Sequence, residues 1–582
     1  MISILLLAIS LWIETAPAAP VSRDDPEQAD LNPTSVSTAA GSAVVVTAHP
    51  KASEAAQSML KAGGHAVDAL VAAQAVLAVV EPQSSGLGGG GFLLHWNAQQ
   101  RSLEVLDGRE TAPERSRPDD LLTPDGEPLP WRDATRRLSA IGIPGTVALL
   151  WEAHQQYGHL PWAQTLEPAI HLARDGFKPS QRFIRSIQLA QRLGSAHNPA
   201  FQALYLPGGE PASKEQRFRN PHLARTLQQL ARDGGPAFYR GALAQQILRE
   251  INALAKDEPD FQGWSATDLS SYTVIRRAPL CAPWLTHQLC TVPAPSSGGL
   301  AVLQTLALLT QPGHPLDPTR PSSWRRLADA IAWADADRLY WIGDPLGGAA
   351  PVNALLDPGY IRKRSLAMGA SRGSQPGPGL PPGVQGYPFA LPASGQEQGT
   401  SHLSIVDSLG NLASYTASVE TVFGSRHLVA GMVMNNQLTD FSFRPSIAGQ
   451  PVANQRQPGH RPASSMAPMI VFRNGDPVLA LGSPGGRRIP HYLSRVLVAS
   501  LLWGESPKRA VALPHLSRSG RTLVLERDSP LQWPVAPNGL ASAHQPVLFQ
   551  DFGSGIALLQ RINGRWHGAA DPRREGTAVA LP

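Results

Sequence analysis

At residues 365 to 399 the chain reads SLAMGASRGSQPGPGLPPGVQGYPFALPASGQEQG, and at Thr400 it changes abruptly into strand after strand. The first stretch is too rich in glycine, proline and serine to hold a regular element and reads as a long exposed connector. The second runs TSHLSIVD, an SLGN turn, LASYTASV, HLVAGMVMNN, then MIVF and PVLALGS around RNGD, each apolar run ending in turn residues. The boundary at 399/400 therefore divides two kinds of chain. Cutting the Gly399–Thr400 bond would leave a threonine with a free α-amine at the tip of a rigid strand.

An N-terminal threonine unites nucleophile and base in one residue, so a weak hydroxyl can be activated without histidine. If the hairpin turn centres on Leu409, positions 400 and 418 face each other, which brings the Ser418 hydroxyl beside the Thr400 amine. A second clue lies in GSPGGRRIP, where a strand ending VLALGS runs through Pro484, Gly485 and Gly486 into a helix from about Pro490 to Leu502. The opening N–H groups of such a helix have no partner within it, and glycine leaves them open to approach. Donors so placed would stabilise the oxyanion of an acyl transfer.

The half before the connector alternates strand and helix. GSAVVVTAHP reads as a buried strand, and the Ala-rich run from Ser53 to Pro82 reads as two helices broken at Gly63 and Gly64. FLLHW and LEVLD pair as strands, with Arg109 just past the second, and residues 145 to 275 are mostly helical. The cluster Gly86 to Gly91 matches GxGxxG, but it follows a helix and opens a strand, the reverse of a dinucleotide fingerprint. GxxxxGK[ST], GxSxG and HExxH do not occur, which removes support for nucleotide hydrolysis, a serine elbow and a zinc centre.

A formal charge of +5 is scattered without a run of like sign, so a nucleic-acid partner is not expected. Residues 1 to 13, MISILLLAISLWI, are too short to span a bilayer and precede Ala16-Pro17-Ala18; residues 1–18 read as a signal peptide, with no stable membrane span elsewhere. Cys281 and Cys290 permit a small disulfide loop in an oxidising compartment, or stand as two separate thiols.

Read together, GGHAVDALVAA, EPQSSGLGGGGFLL, LDGRETAP, IPGTVAL, PAPSSGGLAVLQ, GTSHLSIVD, NNQLTDFS, RPASSMAP, GSPGGRRI and AADPRREG resemble, in order over roughly residues 40 to 580, the γ-glutamyltransferases or glutathione hydrolases. These belong to the N-terminal nucleophile hydrolase superfamily. The resemblance implies an α+β fold, an αββα sandwich formed by a large subunit (40–399) and a small subunit (400–582) cut from one precursor. It implies no metal or organic cofactor, a γ-glutamyl donor such as glutathione, an amino acid or peptide acceptor, and a periplasmic or secreted location. It assigns Thr400 as nucleophile of self-cleavage and turnover, assisted by Ser418, and gives the oxyanion N–H groups to Gly485 and Gly486. Arg109 would clamp the donor α-carboxylate with Ser464 and Ser465, and Asp440 would hold the α-ammonium with Gln437 and Glu420.

The chain departs from that pattern in four places. Ser418 stands for a usual Thr, Glu420 for Asn, and His65 for Asn at a helix start. The segment from Ser442 to Arg461 is shorter than a lid-forming loop would need. An open pocket admits bulkier acyl groups, so a glutaryl or cephalosporin-type acylase using Thr400 is the alternative reading. An uncut periplasmic γ-glutamyl binding protein is a third.

Overall fold

The computed structural model describes residues 35–581 except 195–197, 259, 311–315, 349, 371–374, 391–398 and 542–544. The expected signal peptide lies outside the described residues. Two seven-stranded antiparallel sheets form the centre. The first runs Thr577–Leu581, Ala43–Thr47, Gly399–Val406, Leu412–Glu420, Gly90–Asn97, Ser102–Gly108, Ile275–Arg277. The second runs Ser37–Gly41, Arg565–Ala570, Ala557–Ile562, Asp476–Gly482, Met469–Arg473, His287–Thr291, Leu280–Trp284. Strands from both sides of residue 399 contribute to each of these two sheets, so neither central sheet belongs to one half alone.

Side-chain alternation along the strands sorts residues into layers. Val45, Leu403 and Ile405 join the helices Pro50–Lys61, Ala66–Val80 and Thr146–Tyr157 in one apolar cluster, while Val44, Val46 and Val406 face the second sheet. The second sheet is covered in turn by Gly298–Leu309, Pro321–Trp341 and Ile489–Leu497, whose apolar residues lie in the same cluster. The layering is helix, sheet, sheet, helix, the expected αββα sandwich. Every residue of Ala66–Val80 is buried, which accounts for a helix apolar on all sides. Each fully buried Leu or Ile adds about 1.5–3 kcal/mol to the core.

The connector differs from its sequence reading. The helix Pro358–Ala370 runs into it, because Ser365 and Met368 continue a buried face and the Gly/Pro-rich composition begins only later. Residues 375–390 have no helix or strand but are docked: Trp341 Nε1 donates to the Gly379 carbonyl at 3.0 Å, and the Gly379 N–H donates to Asp337 at 2.8 Å. Cys281 and Cys290 sit opposite each other in the hairpin of Leu280–Trp284 and His287–Thr291 and are joined as a disulfide. Among the described residues no helix is long and apolar enough to cross a membrane.

Candidate active site

Thr400 lies near the start of the strand Gly399–Val406, and its side chain, like those of His402 and Ser404, belongs to the face turned toward the second sheet. This face is polar although buried, so its groups satisfy one another. His402 Nδ1 meets Thr416 Oγ1 at 2.8 Å and Nε2 meets Ser404 Oγ at 3.0 Å. Burial pushes the His402 imidazole down to about 3, leaving it neutral and committed to those hydroxyls. The partners of His402 thus lie farther along the sheet, not at Thr400.

The pairing register places Thr400 opposite Ser418, as the hairpin argument expects. Thr400 Oγ1 donates to Ser418 Oγ at 3.4 Å; Ser418 Oγ donates in turn to the Gly399 carbonyl and accepts from the Glu420 N–H at 2.9 Å. One serine hydroxyl thus connects the threonine with the carbonyl of the bond preceding it. The ladder bulges here, since Gly399 pairs with Glu420 while Thr400 pairs with Ser418. Glu420 takes φ +84°, a conformation costing a non-glycine residue roughly 1–2 kcal/mol. The strained residue therefore lies across the ladder from Gly399, beside the Gly399–Thr400 bond.

Across the same sheet end, Ser418 pairs with Gly90, and Gly91 with Gly108, the residue before Arg109. The glycine run permits this closeness: a Cβ at Gly89 would fall 2.1 Å from the Ser418 carbonyl oxygen. With strands about 4.8 Å apart, Arg109 and Thr400 stand three strand spacings from each other. Arg109 is fully buried; Nη2 contacts Asp440 Oδ2 and donates to the Ala463 carbonyl at 3.0 Å, and Nε donates to the Pro462 carbonyl at 3.4 Å. Gln437 Nε2 donates to Asp440 Oδ2 at 2.9 Å. Asn436 joins this turn to residue 420's neighbours, its N–H donating to the Val419 carbonyl at 3.2 Å and its Oδ1 accepting from the Thr421 N–H at 3.1 Å.

Ser464 and Ser465 follow the Arg109-binding carbonyls of Pro462 and Ala463. Their loop is tied to PAPSSGG, with the Ser297 N–H donating to the Ser464 carbonyl at 2.7 Å. The glycine turn lies at the same end of the sandwich, where the second-sheet strand Asp476–Gly482 ends against His402. Gly485 has φ +124°, and a Cβ there would meet the Tyr492 ring at 2.4 Å, so glycine is required. Gly486–Arg488 then forms one helical turn leading into Ile489–Leu497. The segment 442–461 folds as a small hairpin, Ser446–Ile447 against Gln450–Pro451, with Asn454 bridging the Asp440 carbonyl and the Ala463 N–H.

Three buried residues at the site escape sequence reasoning. Arg574, inside AADPRREG, donates from Nη1 to the Thr400 carbonyl at 2.9 Å. Arg338, on the helix Pro321–Trp341, reaches Ser465 Oγ at 2.8 Å. Glu110 lies beside Arg109, with Oε2 3.5 Å from Nη1, and burial pushes its carboxyl up to about 7. Its motif was visible in LDGRETAP, but only depth of burial distinguishes it from a surface acid. Burial also raises the Asp440 carboxyl, against the pull of Arg109 and Gln437.

The Glu110 shift has a measurable consequence. A carboxyl raised from 4.5 to about 7 stabilises the fold below the unfolded value and loses that contribution as pH rises through 7. Glu110→Gln should therefore raise Tm relative to wild type at pH 8 and do so less at pH 5. Equal effects in thermal melts at both pH values would show that Glu110 does not titrate in this window.

A four-layer αββα sandwich with a threonine at the tip of a central strand, a hydroxyl opposite it and a glycine turn at the same end defines an N-terminal nucleophile hydrolase. The chain matches the family profile described as Gamma-glutamyltranspeptidase over residues 52–581. The glutathione hydrolase proenzyme of Bacillus subtilis strain 168 is 32% identical, with 100% of this chain and 97% of that protein covered. The acylase ACY 1 proenzyme of Pseudomonas sp. strain V22 is 30% identical, with 92% and 93% covered. In structure, the cephalosporin acylase from Bacillus halodurans superposes with a TM-score of 0.81 at 23% identity, over 99% of this chain and 100% of that one, which shows the shared fold. The chain belongs to the γ-glutamyltranspeptidase family and is an enzyme of that family.

Proposed function

We propose that the chain is a self-processing γ-glutamyl hydrolase and transferase of the cell envelope, cut before Thr400 into a large subunit ending at Gly399 and a small one beginning at Thr400. The observation that carries this reading is the Thr400–Ser418–Gly399 hydrogen-bond sequence at a strained bulge. In self-cleavage the Thr400 hydroxyl adds to the Gly399 carbonyl carbon while Ser418 donates to the carbonyl oxygen. Collapse breaks the C–N bond, so the Thr400 amine leaves carrying the hydroxyl proton and Gly399 remains as an ester on Thr400 Oγ1; water then hydrolyses the ester to the Gly399 carboxylate and the free Thr400 hydroxyl. The subunits stay together because each contributes strands to both central sheets.

In turnover the Thr400 amine accepts the proton of its own hydroxyl as the oxygen adds to the γ-amide carbon of the donor. N–H groups at Gly485 and Gly486 stabilise the oxyanion, each worth about 3–4 kcal/mol of barrier. The leaving amine takes the proton, and water or an amino acceptor resolves the acyl-enzyme. Arg109, Ser464 and Ser465 bind the α-carboxylate; Asp440, Gln437 and Glu420 bind the α-ammonium. Glutathione is the donor suggested by the hydrolase relatives, and the Cys281–Cys290 disulfide supports a periplasmic or secreted location.

The test is intact mass and N-terminal sequencing of the purified protein, then release of anilide from γ-glutamyl and glutaryl substrates with and without a dipeptide. The expected result is a small subunit beginning Thr400-Ser401-His402 and acceptor-stimulated release that favours the γ-glutamyl substrate. Equal rates on the glutaryl substrate, which lacks the ammonium, would favour the acylase reading. A folded chain that stays uncut would favour a binding protein.

A further inference from the structure

We infer that Arg338 is a positioning residue that locks the Ser465 loop and the Gly485–Gly486 turn into one fixed arrangement; the inference rests on the roles proposed for those residues. Arg338 lies on the helix Pro321–Trp341, before Thr400 in the chain, and is buried. Its partners at the site come after Thr400. Nη1 donates to Ser465 Oγ at 2.8 Å and Nη2 to the Arg487 carbonyl at 2.8 Å. Nη1 also lies 3.3 Å from Ser297 Oγ, whose own hydroxyl donates to the Ser464 carbonyl at 2.9 Å. One planar cation thus joins the loop proposed to bind the donor carboxylate to the Arg487–Arg488 peptide, within the turn that begins at Gly486.

Two features make this more than packing. An arginine can only donate, so Ser465 accepts from Nη1 and its own proton is directed elsewhere, the polarity a serine needs to donate to a carboxylate. The Arg487 carbonyl belongs to the turn Gly486–Arg488, so holding it restrains the turn that follows the Gly485 and Gly486 N–H groups proposed to meet the oxyanion. The arginine is itself anchored. Nε donates to Asp335 Oδ1 at 2.6 Å, Asp335 Oδ2 meets His491 Nε2 at 2.7 Å, and His491 Nδ1 meets Ser517 Oγ at 3.0 Å. Although burial would raise the Asp335 carboxyl, Arg338 and His491 hold it well below the usual carboxylate range. The ion pair therefore persists at neutral pH. A lysine would offer one nitrogen in place of the planar fork and could not meet Asp335, Ser465 and the Arg487 carbonyl from the same positions.

The experiment compares wild type, Arg338→Met, Arg338→Lys, Ser465→Ala and the Met/Ala double variant. Intact mass checks maturation, melting checks folding, and γ-glutamyl anilide turnover gives kcat and KM. Ser465→Ala is expected to raise KM more than it lowers kcat. Arg338→Met should raise KM and lower kcat, each by roughly tenfold, the scale for losing one hydrogen bond to a charged group. In the Ser465→Ala background the Arg338→Met change should retain its kcat loss and shed most of its KM effect. Arg338→Lys, the variant to rely on if Met does not fold, should lose kcat or KM but not both in full. Cut, folded Arg338 variants with wild-type kcat and KM, or with only a lower Tm, would overturn the inference. A wild type that cuts itself but does not turn over γ-glutamyl anilide would instead overturn the functional reading, and the inference with it.

Discussion

A Thr400→Ala chain is expected to remain one polypeptide and to release no anilide from a γ-glutamyl substrate above the background rate. In the proposed mechanism both reactions need the same oxygen, which adds to the Gly399 carbonyl once and to the donor carbonyl in every cycle. Removing a nucleophile of this kind costs on the order of 10⁴-fold or more in kcat. The fold should survive, because deleting one hydroxyl and one methyl from a buried strand costs about 1–2 kcal/mol and the strand keeps its ladder to Leu412–Glu420 and Ala43–Thr47. Thr400→Ser keeps the oxygen and should retain both reactions at reduced rates, since the missing methyl loosens the hydroxyl rotamer. Intact mass separates the outcomes: an alanine chain that still yields two fragments would show that another group attacks the Gly399–Thr400 bond.

The Thr400–Ser418 pairing was legible in the sequence because a short hairpin turn fixes register, and register fixes which side chains face each other. The glycine turn at 485 and 486 was legible for a similar reason, since strand, glycine pair and helix follow directly in the chain. AVVVT was legible as a buried strand because its apolar run is continuous, whereas the four-layer sandwich was expected only from the family resemblance. What stayed hidden depends on contacts between segments far apart in sequence. Arg574 meets Thr400 across 174 positions, and Arg338 meets Ser465 across 127. Neither stands in a local pattern that separates it from a surface arginine.

The bulge at Gly399 was hidden for another reason. Sequence alternation predicts regular pairing, whereas the ladder shifts between Gly399 and Thr400, with Glu420 at positive φ. The connector begins later than its sequence reading because Ser365–Ala370, adjoining the Gly/Pro-rich stretch, keeps the burial spacing of a helix end. Of the residues assigned to the donor ends, Arg109, Asp440 and Gln437 lie in contact, with Arg109 and Asp440 as an ion pair. A donor carrying both a carboxylate and an ammonium would present each of these charges with an opposite one.

That pairing sets up the second large effect. Arg109→Met should raise the KM for γ-glutamyl anilide by about 100-fold, because truncating a buried, hydrogen-bonded charge costs about 2–5 kcal/mol, and it leaves Asp440 without its cation. Arg109→Lys should fall between Met and wild type, because an ammonium cannot hold the Ala463 and Pro462 carbonyls, Asp440 and a carboxylate in one plane. The glutaryl substrate separates the two ends of the site, since it keeps the carboxylate and lacks the ammonium. Arg109 variants should weaken both substrates alike. Asp440→Asn should weaken only the γ-glutamyl one, and by relieving Arg109 of its anionic partner it should leave the glutaryl KM unchanged or lower. If Asp440→Asn instead weakens both substrates equally, Asp440 serves to orient Arg109 and the ammonium must be bound elsewhere. If Arg109→Met leaves both KM values unchanged, the buried arginine is an internal counter-ion, and the carboxylate of the donor is held without it.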